Sequence, residues 1–87
     1  MFYVYILKSR KDGKLYIGYT NNLQKRFEEH NKGLVKSTKH RIPFDLVYCE
    51  TYFSNADAKH REDMLKRHSG SYIHLKKRIK NSLIIPM

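Results

Sequence analysis

Two stretches decide the fold: Phe2-Tyr3-Val4-Tyr5-Ile6-Leu7 and Tyr16-Ile17-Gly18-Tyr19-Thr20, joined by the polar turn Ser9-Arg10-Lys11-Asp12-Gly13. The first is β-branched and aromatic and apolar on both faces, which predicts a strand covered on both sides. The Asp12-Gly13 pair favours a hairpin, and the second strand is expected over about Lys14 to Thr20. A four-residue loop, Arg10 to Gly13, would pair Ser9 with Lys14, Leu7 with Tyr16 and Tyr5 with Gly18. Tyr5 and Tyr16 would then share a face as diagonal neighbours. A loop one residue shorter would separate them. Gly18, opposite Tyr5, leaves space that either a close-approaching ligand or a twist of the strand explains.

Downstream, Asn21 or Asn22 can cap a helix reaching about Asn31, with Gly33 in the C′ position. Leu23 and Phe27 define its apolar stripe, and Arg26 and His30 fall on the edge of it. Lys32 to Pro43 reads as a basic loop. Phe44 to Phe53 is a third strand, with Cys49 expected as a small buried hydrophobe. Ser54 precedes a helix of Asn55 to about His68, with Asp57 resembling the acceptor of a capping box. Gly70 is expected to end it, and Ser71 to cap a last helix from Tyr72 to about Ser82. The predicted order is β-β-α-β-α-α, an α/β protein of α+β type: a small three-stranded sheet flanked by three helices, in one domain over residues 1–87.

Within the second helix, Glu62 falls on the inward stripe set by Ala58 and Leu65. Glutamate is rarely buried unless it is paired or bound to a cation. Two readings stay open: a boundary carboxylate paired with a basic neighbour, or a ligand for a hard divalent ion whose other ligands are water and phosphate. Arg26 likewise reads either as a snorkelling boundary residue or as a phosphate clamp.

Composition narrows the partners. The 87 residues carry 18 Lys plus Arg against 8 Asp plus Glu, a net charge of +10, with 40% hydrophobic and 13% aromatic residues. That is too apolar for a disordered basic tail and too charged to ignore polyanions. Residues 1–43 hold 10 basic and 3 acidic side chains and residues 44–87 hold 8 and 5, so the excess lies in the first half. Nucleic acid is the expected partner; no membrane span is expected, and protein partners are unspecified. Cys49 is the single cysteine, which excludes an internal disulfide and a thiolate zinc cage and points to a reducing, cytoplasmic setting. There is no HExxH, no phosphate-binding glycine loop and no CxxC. His40, His60, His68 and His74 lack ligand spacing and are expected at the surface.

Tyr3-Val4-Tyr5, Tyr16-Ile17-Gly18-Tyr19-Thr20-Asn21-Asn22-Leu23, Lys25-Arg26, Glu29-His30-Asn31, Arg41-Ile42-Pro43, Leu46-Val47-Tyr48 and Arg61-Glu62 together resemble the GIY-YIG nuclease superfamily. More narrowly, they resemble its small single-domain members of the UPF0213 type. The resemblance covers Phe2 to about Leu83 and departs from the pattern in the first tripeptide, which lacks its glycine. It implies an antiparallel sheet and cleavage of DNA phosphodiester bonds with one divalent ion, Mg²⁺ or Mn²⁺. By motif position it implies catalytic roles for Tyr5, Tyr16, Arg26, His30 and Glu62, with Glu62 as the metal ligand. Gly18 matches the closing glycine of the motif. Gly18, Lys25, Lys36, Lys39 and Arg41 are the expected nucleic-acid contacts. Asn81 is the sole late candidate for an asparagine that some members use. An endonuclease of low sequence specificity and a non-catalytic binding or DNA-repair accessory module are both compatible with these residues.

Overall fold

The computed structural model describes residues 1–84. Its elements are β1 (Phe2–Ser9), β2 (Leu15–Thr20), α1 (Leu23–Asn31), a 3₁₀ turn (Lys39–Arg41), β3 (Phe44–Tyr52), α2 (Asn55–Lys66) and α3 (Gly70–Arg78). The sheet is antiparallel with strand order β2-β1-β3. The most apolar strand is therefore central, where both of its faces can be covered.

The hairpin register is the one expected from a four-residue loop, with Leu7 opposite Tyr16 and Tyr5 opposite Gly18. Ser9, almost fully buried, organises the turn. Its Oγ accepts from the Lys11 and Asp12 amides at 3.0 and 3.1 Å and donates to the Arg41 carbonyl at 2.6 Å. Gly13 supplies the positive φ of 71° that closes the loop.

Two cores result from the alternation of β1. Val4 and Ile6 point to α2 and α3, where they meet Ile17, Ala58, Leu65 and Leu75. Tyr5 and Leu7 point to the α1 side and meet Phe44, flanked by Tyr16, Leu23, Phe27 and Ile42. A register shift between Ile6 and Leu7 leaves Val47 of β3 without a partner on β1, a β-bulge. On α1, Asn22 is the N-cap, its side chain accepting from the Lys25 amide. At its far end Asn31 exchanges two hydrogen bonds with the Phe44 backbone, at 2.7 and 3.0 Å, and so ties the helix to the start of β3.

Several expectations are corrected. Helix α2 stops at Lys66, and His68 rather than a glycine takes the left-handed conformation after it, with φ 54°. Gly70 opens α3 instead of ending α2; Ser69 occupies the N-cap position without a side-chain bond, and α3 ends at Arg78. The start of α2 is as expected, with Ser54 capping it by accepting from the Asp57 amide. Cys49 is exposed rather than buried; it lies on edge strand β3, opposite Tyr5. The basic loop contains the 3₁₀ turn at its end, with Lys39 and His40 exposed.

Candidate active site

The site grows from Gly18. A Cβ at that position would overlap Cζ and the hydroxyl of Tyr5. The glycine is thus needed because the Tyr5 ring lies across it. This overturns the idea of a gap left for a ligand: the chain's own phenol fills the space. Tyr5 is 1% exposed, and its hydroxyl lies 2.8 Å from Nε2 of His30.

His30 is not at the edge of the helix stripe but at its centre, with no exposed surface. Tyr16, Tyr5 and Phe44 surround its ring edge-on, at centroid distances of 5.1, 5.8 and 6.0 Å. Its other nitrogen, Nδ1, lies 2.8 Å from Oγ1 of Thr38, a buried residue that the sequence pattern does not single out. Thr38 in turn approaches the Val35 carbonyl at 3.5 Å. The assignment that satisfies every group runs one way: Tyr5 O–H to Nε2, Nδ1–H to Thr38, Thr38 O–H to Val35. Burial, aided by the charge of Arg26, depresses the His30 pKa to about 4. The imidazole is therefore neutral at pH 7 and can accept a hydrogen bond from the phenol.

Tyr5 is held even more firmly in its protonated form. Burial raises its pKa to about 12; Arg26 opposes that shift, while Tyr16 and the charge of Glu62 add to it. The Glu62 charge thus comes from α2, whereas the hydroxyl's other named neighbours come from β2 and α1. Tyr5, Tyr16 and His30 are in direct contact, and the charges of Arg26 and Glu62 both bear on the Tyr5 hydroxyl. Arg26 also borders a cleft of about 460 Å³ lined by Tyr19, Thr20, Asn21, Asn22, Lys25 and Glu29. Lys25 faces this cleft, and Lys36 and Lys39 are exposed beyond α1. Arg41 is otherwise engaged: it pairs with Asp12 at 2.8 Å and lies over the Phe44 ring. Asn81 lies beyond α3, where its carbonyl accepts from the Ile84 amide.

Both charged groups of this neighbourhood have partners on their own helices. Arg26 pairs with Glu29 at 3.3 Å, and Glu62 pairs with Lys66 at 2.8 Å. The Glu62 side chain retains 21% exposure. Among the described residues no group of three or more His, Cys, Asp or Glu side chains converges, so no cage of protein ligands is present there. One half-buried carboxylate whose ion-pair partner is a half-exposed lysine still suits a hard cation that keeps water and phosphate oxygens in its shell.

A second acidic residue carries no signal in the sequence. Glu50 on β3 is chelated by Arg61 at 2.9 to 3.2 Å and accepts from the Tyr48 and Tyr52 hydroxyls. Burial pushes the Glu50 carboxyl up, but Arg61 and the two phenols outweigh it and leave the pKa below normal. These partners saturate it, so it offers a cation nothing.

Residues 1–80 match the family model of the GIY-YIG catalytic domain. This chain belongs to the GIY-YIG family. That domain places it in a nuclease superfamily whose members generally use divalent metal ions and act on nucleic acids. A UPF0213 protein of Clostridium perfringens is 48% identical over 68 residues, which span 77% of this chain and 72% of that protein. A UPF0213 protein of Staphylococcus haemolyticus is 47% identical over 68 residues, 77% and 82% of the two chains. The solution NMR structure of a UPF0213 protein from Bacillus halodurans superposes with a TM-score of 0.56 at 34% identity, covering 92% of this chain and 86% of that one. The three-stranded sheet with three helices is the GIY-YIG fold expected from the sequence. Among the described residues no helix is long and apolar enough to cross a membrane.

Proposed function

We propose that this GIY-YIG domain is a divalent-metal-dependent endonuclease that hydrolyses phosphodiester bonds in DNA with little intrinsic sequence preference. The observation that carries the reading is that Tyr5 and Tyr16 pack around the buried His30 while Arg26 of the same helix lines the adjacent cleft. The cations around the cleft, Arg26 and Lys25, address phosphate rather than base edges, which supports low specificity.

In hydrolysis an oxygen of water bonds to phosphorus, one P–O ester bond breaks, and a phosphomonoester and an alcohol result. A divalent ion held by Glu62 would supply charge stabilisation of the pentacovalent phosphate. Arg26 turns from Glu29 to the non-bridging oxygens, where its planar fork fits two of them. Tyr5, kept protonated by burial and oriented by His30, serves as a fixed dipole rather than a base at neutral pH. Tyr16 is the more accessible phenol and is assigned to the attacking water's proton. His30 has both ring nitrogens engaged and no exposure; it positions Tyr5 and does not reach phosphate.

The test incubates purified protein with end-labelled single- and double-stranded DNA and Mg²⁺ or Mn²⁺. Cleavage that Glu62→Ala and Arg26→Ala abolish is the expected result, and cleavage no greater than in those variants would refute catalysis. A non-catalytic binding module is the second reading, favoured by the ion pairs that neutralise both Arg26 and Glu62. It would show salt-dependent DNA binding without turnover, unaffected or strengthened by Glu62→Ala.

A further inference from the structure

The two charged groups at the site are each occupied by a neighbour one helical turn away. Glu62 Oε2 is 2.8 Å from the Lys66 ammonium, and Arg26 Nη1 is 3.3 Å from Glu29 Oε1. Neither counter-ion has another ion-pair partner within 4 Å among the described residues. Lys66 keeps half of its side-chain surface and Glu29 about a third, so each can swing away without unfolding its helix. Exposed pairs of this spacing are weak. They are also in the wrong place for mere solubility: Arg26 lines the cleft, the Tyr19 wall of that cleft meets α2 through Asn55 and Lys59, and Glu62 lies one turn beyond Lys59 on that helix.

We propose that Lys66 and Glu29 are exchangeable counter-ions that make the binding of metal and of nucleic acid depend on each other. This rests on the nuclease reading above. A dication approaching Glu62 alone meets a carboxylate already neutralised by Lys66, and then a repelled ammonium close by. A phosphate approaching Arg26 alone meets Glu29. When both arrive together, the freed ammonium of Lys66 has a phosphodiester to pair with, and the phosphate's charge replaces that of Glu29 on Arg26. Each ligand removes the obstacle to the other, a coupling that is reciprocal by thermodynamic necessity. Lys66 therefore acts in two opposite senses: against the metal in the free protein and for the nucleic acid once the metal is present. A purely structural helix pair has no such change of sign.

The experiment measures Mn²⁺ binding by electron paramagnetic resonance and binding of a phosphorothioate oligonucleotide by anisotropy, each with and without the other ligand. Wild type is compared with Lys66→Met, Glu29→Gln, Glu62→Gln and a distant charge control, Lys76→Met, all checked for fold by circular dichroism. In Lys66→Met, removing one charge a few ångströms from the ion should tighten Mn²⁺ binding to the free protein roughly three- to tenfold. The same variant should weaken oligonucleotide binding in the presence of Mn²⁺ by about twofold or more, so that the coupling shrinks. Glu29→Gln should strengthen oligonucleotide binding without metal. If Lys66→Met leaves Mn²⁺ affinity unchanged while Glu62→Gln abolishes it, the counter-ion role is overturned and the metal role of Glu62 stands. If Lys76→Met tightens Mn²⁺ as much as Lys66→Met, the effect is net charge and the proposal fails. If Glu62→Gln does not alter Mn²⁺ binding, the metal reading fails and takes the proposal with it.

Discussion

The two faces of the sheet are built from the same strand by opposite rules. Toward α2 and α3, β1 buries Val4 and Ile6 against Ile17, Ala58, Leu65 and Leu75, an entirely apolar set. Toward α1 it buries Tyr5 and Leu7 beside His30, Thr38 and Ser9, all three of them almost inaccessible. The first face stabilises the fold through area removed from water. The second face places neutral polar groups in a low dielectric, where each needs a partner and where a pKa moves far from its usual value. A core needed only for stability would gain nothing from a histidine at its centre. The α1 face is organised around holding one phenol in one position.

The largest separation of the two faces should come from Leu65→Ala. Loss of a fully buried leucine on the apolar side is expected to destabilise the protein by about 2–5 kcal/mol in urea unfolding. Cleavage by the remaining folded fraction should be unchanged. Gly18→Ala probes the other face. Its new methyl must displace the Tyr5 ring, with a loss of about 1–3 kcal/mol and disappearance of DNA cleavage even where the protein is still folded. Full cleavage by folded Gly18→Ala would contradict the role given to the position of the Tyr5 hydroxyl.

The acid response should also belong to the α1 face. His30 has a folded pKa of about 4 against about 6.5 when unfolded. Between these values the unfolded chain binds the extra proton, so stability rises with pH there. The contribution is complete above about pH 6.5 and is lost as pH falls toward 4, the loss reaching about 2 kcal/mol by pH 5. Urea midpoints at pH 7 and 5 for wild type and His30→Gln would check it; an equal acid loss in both would assign the effect elsewhere. The smallest effect is expected from Thr38→Val. It strips Nδ1 of His30 of its partner, for a cost of about 1 kcal/mol, and lets the ring turn from Tyr5. A lower kcat with unchanged KM, together with a shifted His30 ring resonance, would mark a positioning role; an unchanged kcat would reduce Thr38 to packing.

Elements whose determinants lie close together in the chain are legible in the sequence. The turn of Ser9 to Gly13 sets the hairpin register, and with it the shared face of Tyr5 and Tyr16. Asn22 and Ser54 act as caps because their side chains reach amides three residues on. The end of α2 departs from its pattern because glycine is the usual residue at positive φ, yet His68 takes that conformation and leaves Gly70 to start α3. Cys49 departs from expectation because β3 has the composition of a buried strand but lies at an edge.

Chain order and residue type alone determined the hairpin, the caps of α1 and α2, the basic excess and the family. Tertiary structure alone decided which polar groups are neutralised. Whether His30 lies at a helix edge or at the centre of a core depends on how α1 is rolled against β1 and tied to Phe44 by Asn31. Whether Glu62 or Glu50 stays available to a cation depends on side chains that approach from elsewhere. Arg61 reaches Glu50 from 11 residues away and saturates it, whereas Glu62 keeps only the looser, same-helix Lys66. Local conformation follows from short-range sterics and hydrogen bonds, which sequence spacing encodes. Protonation and ligand capacity follow from desolvation and from charges brought close in space, which no spacing along the chain records.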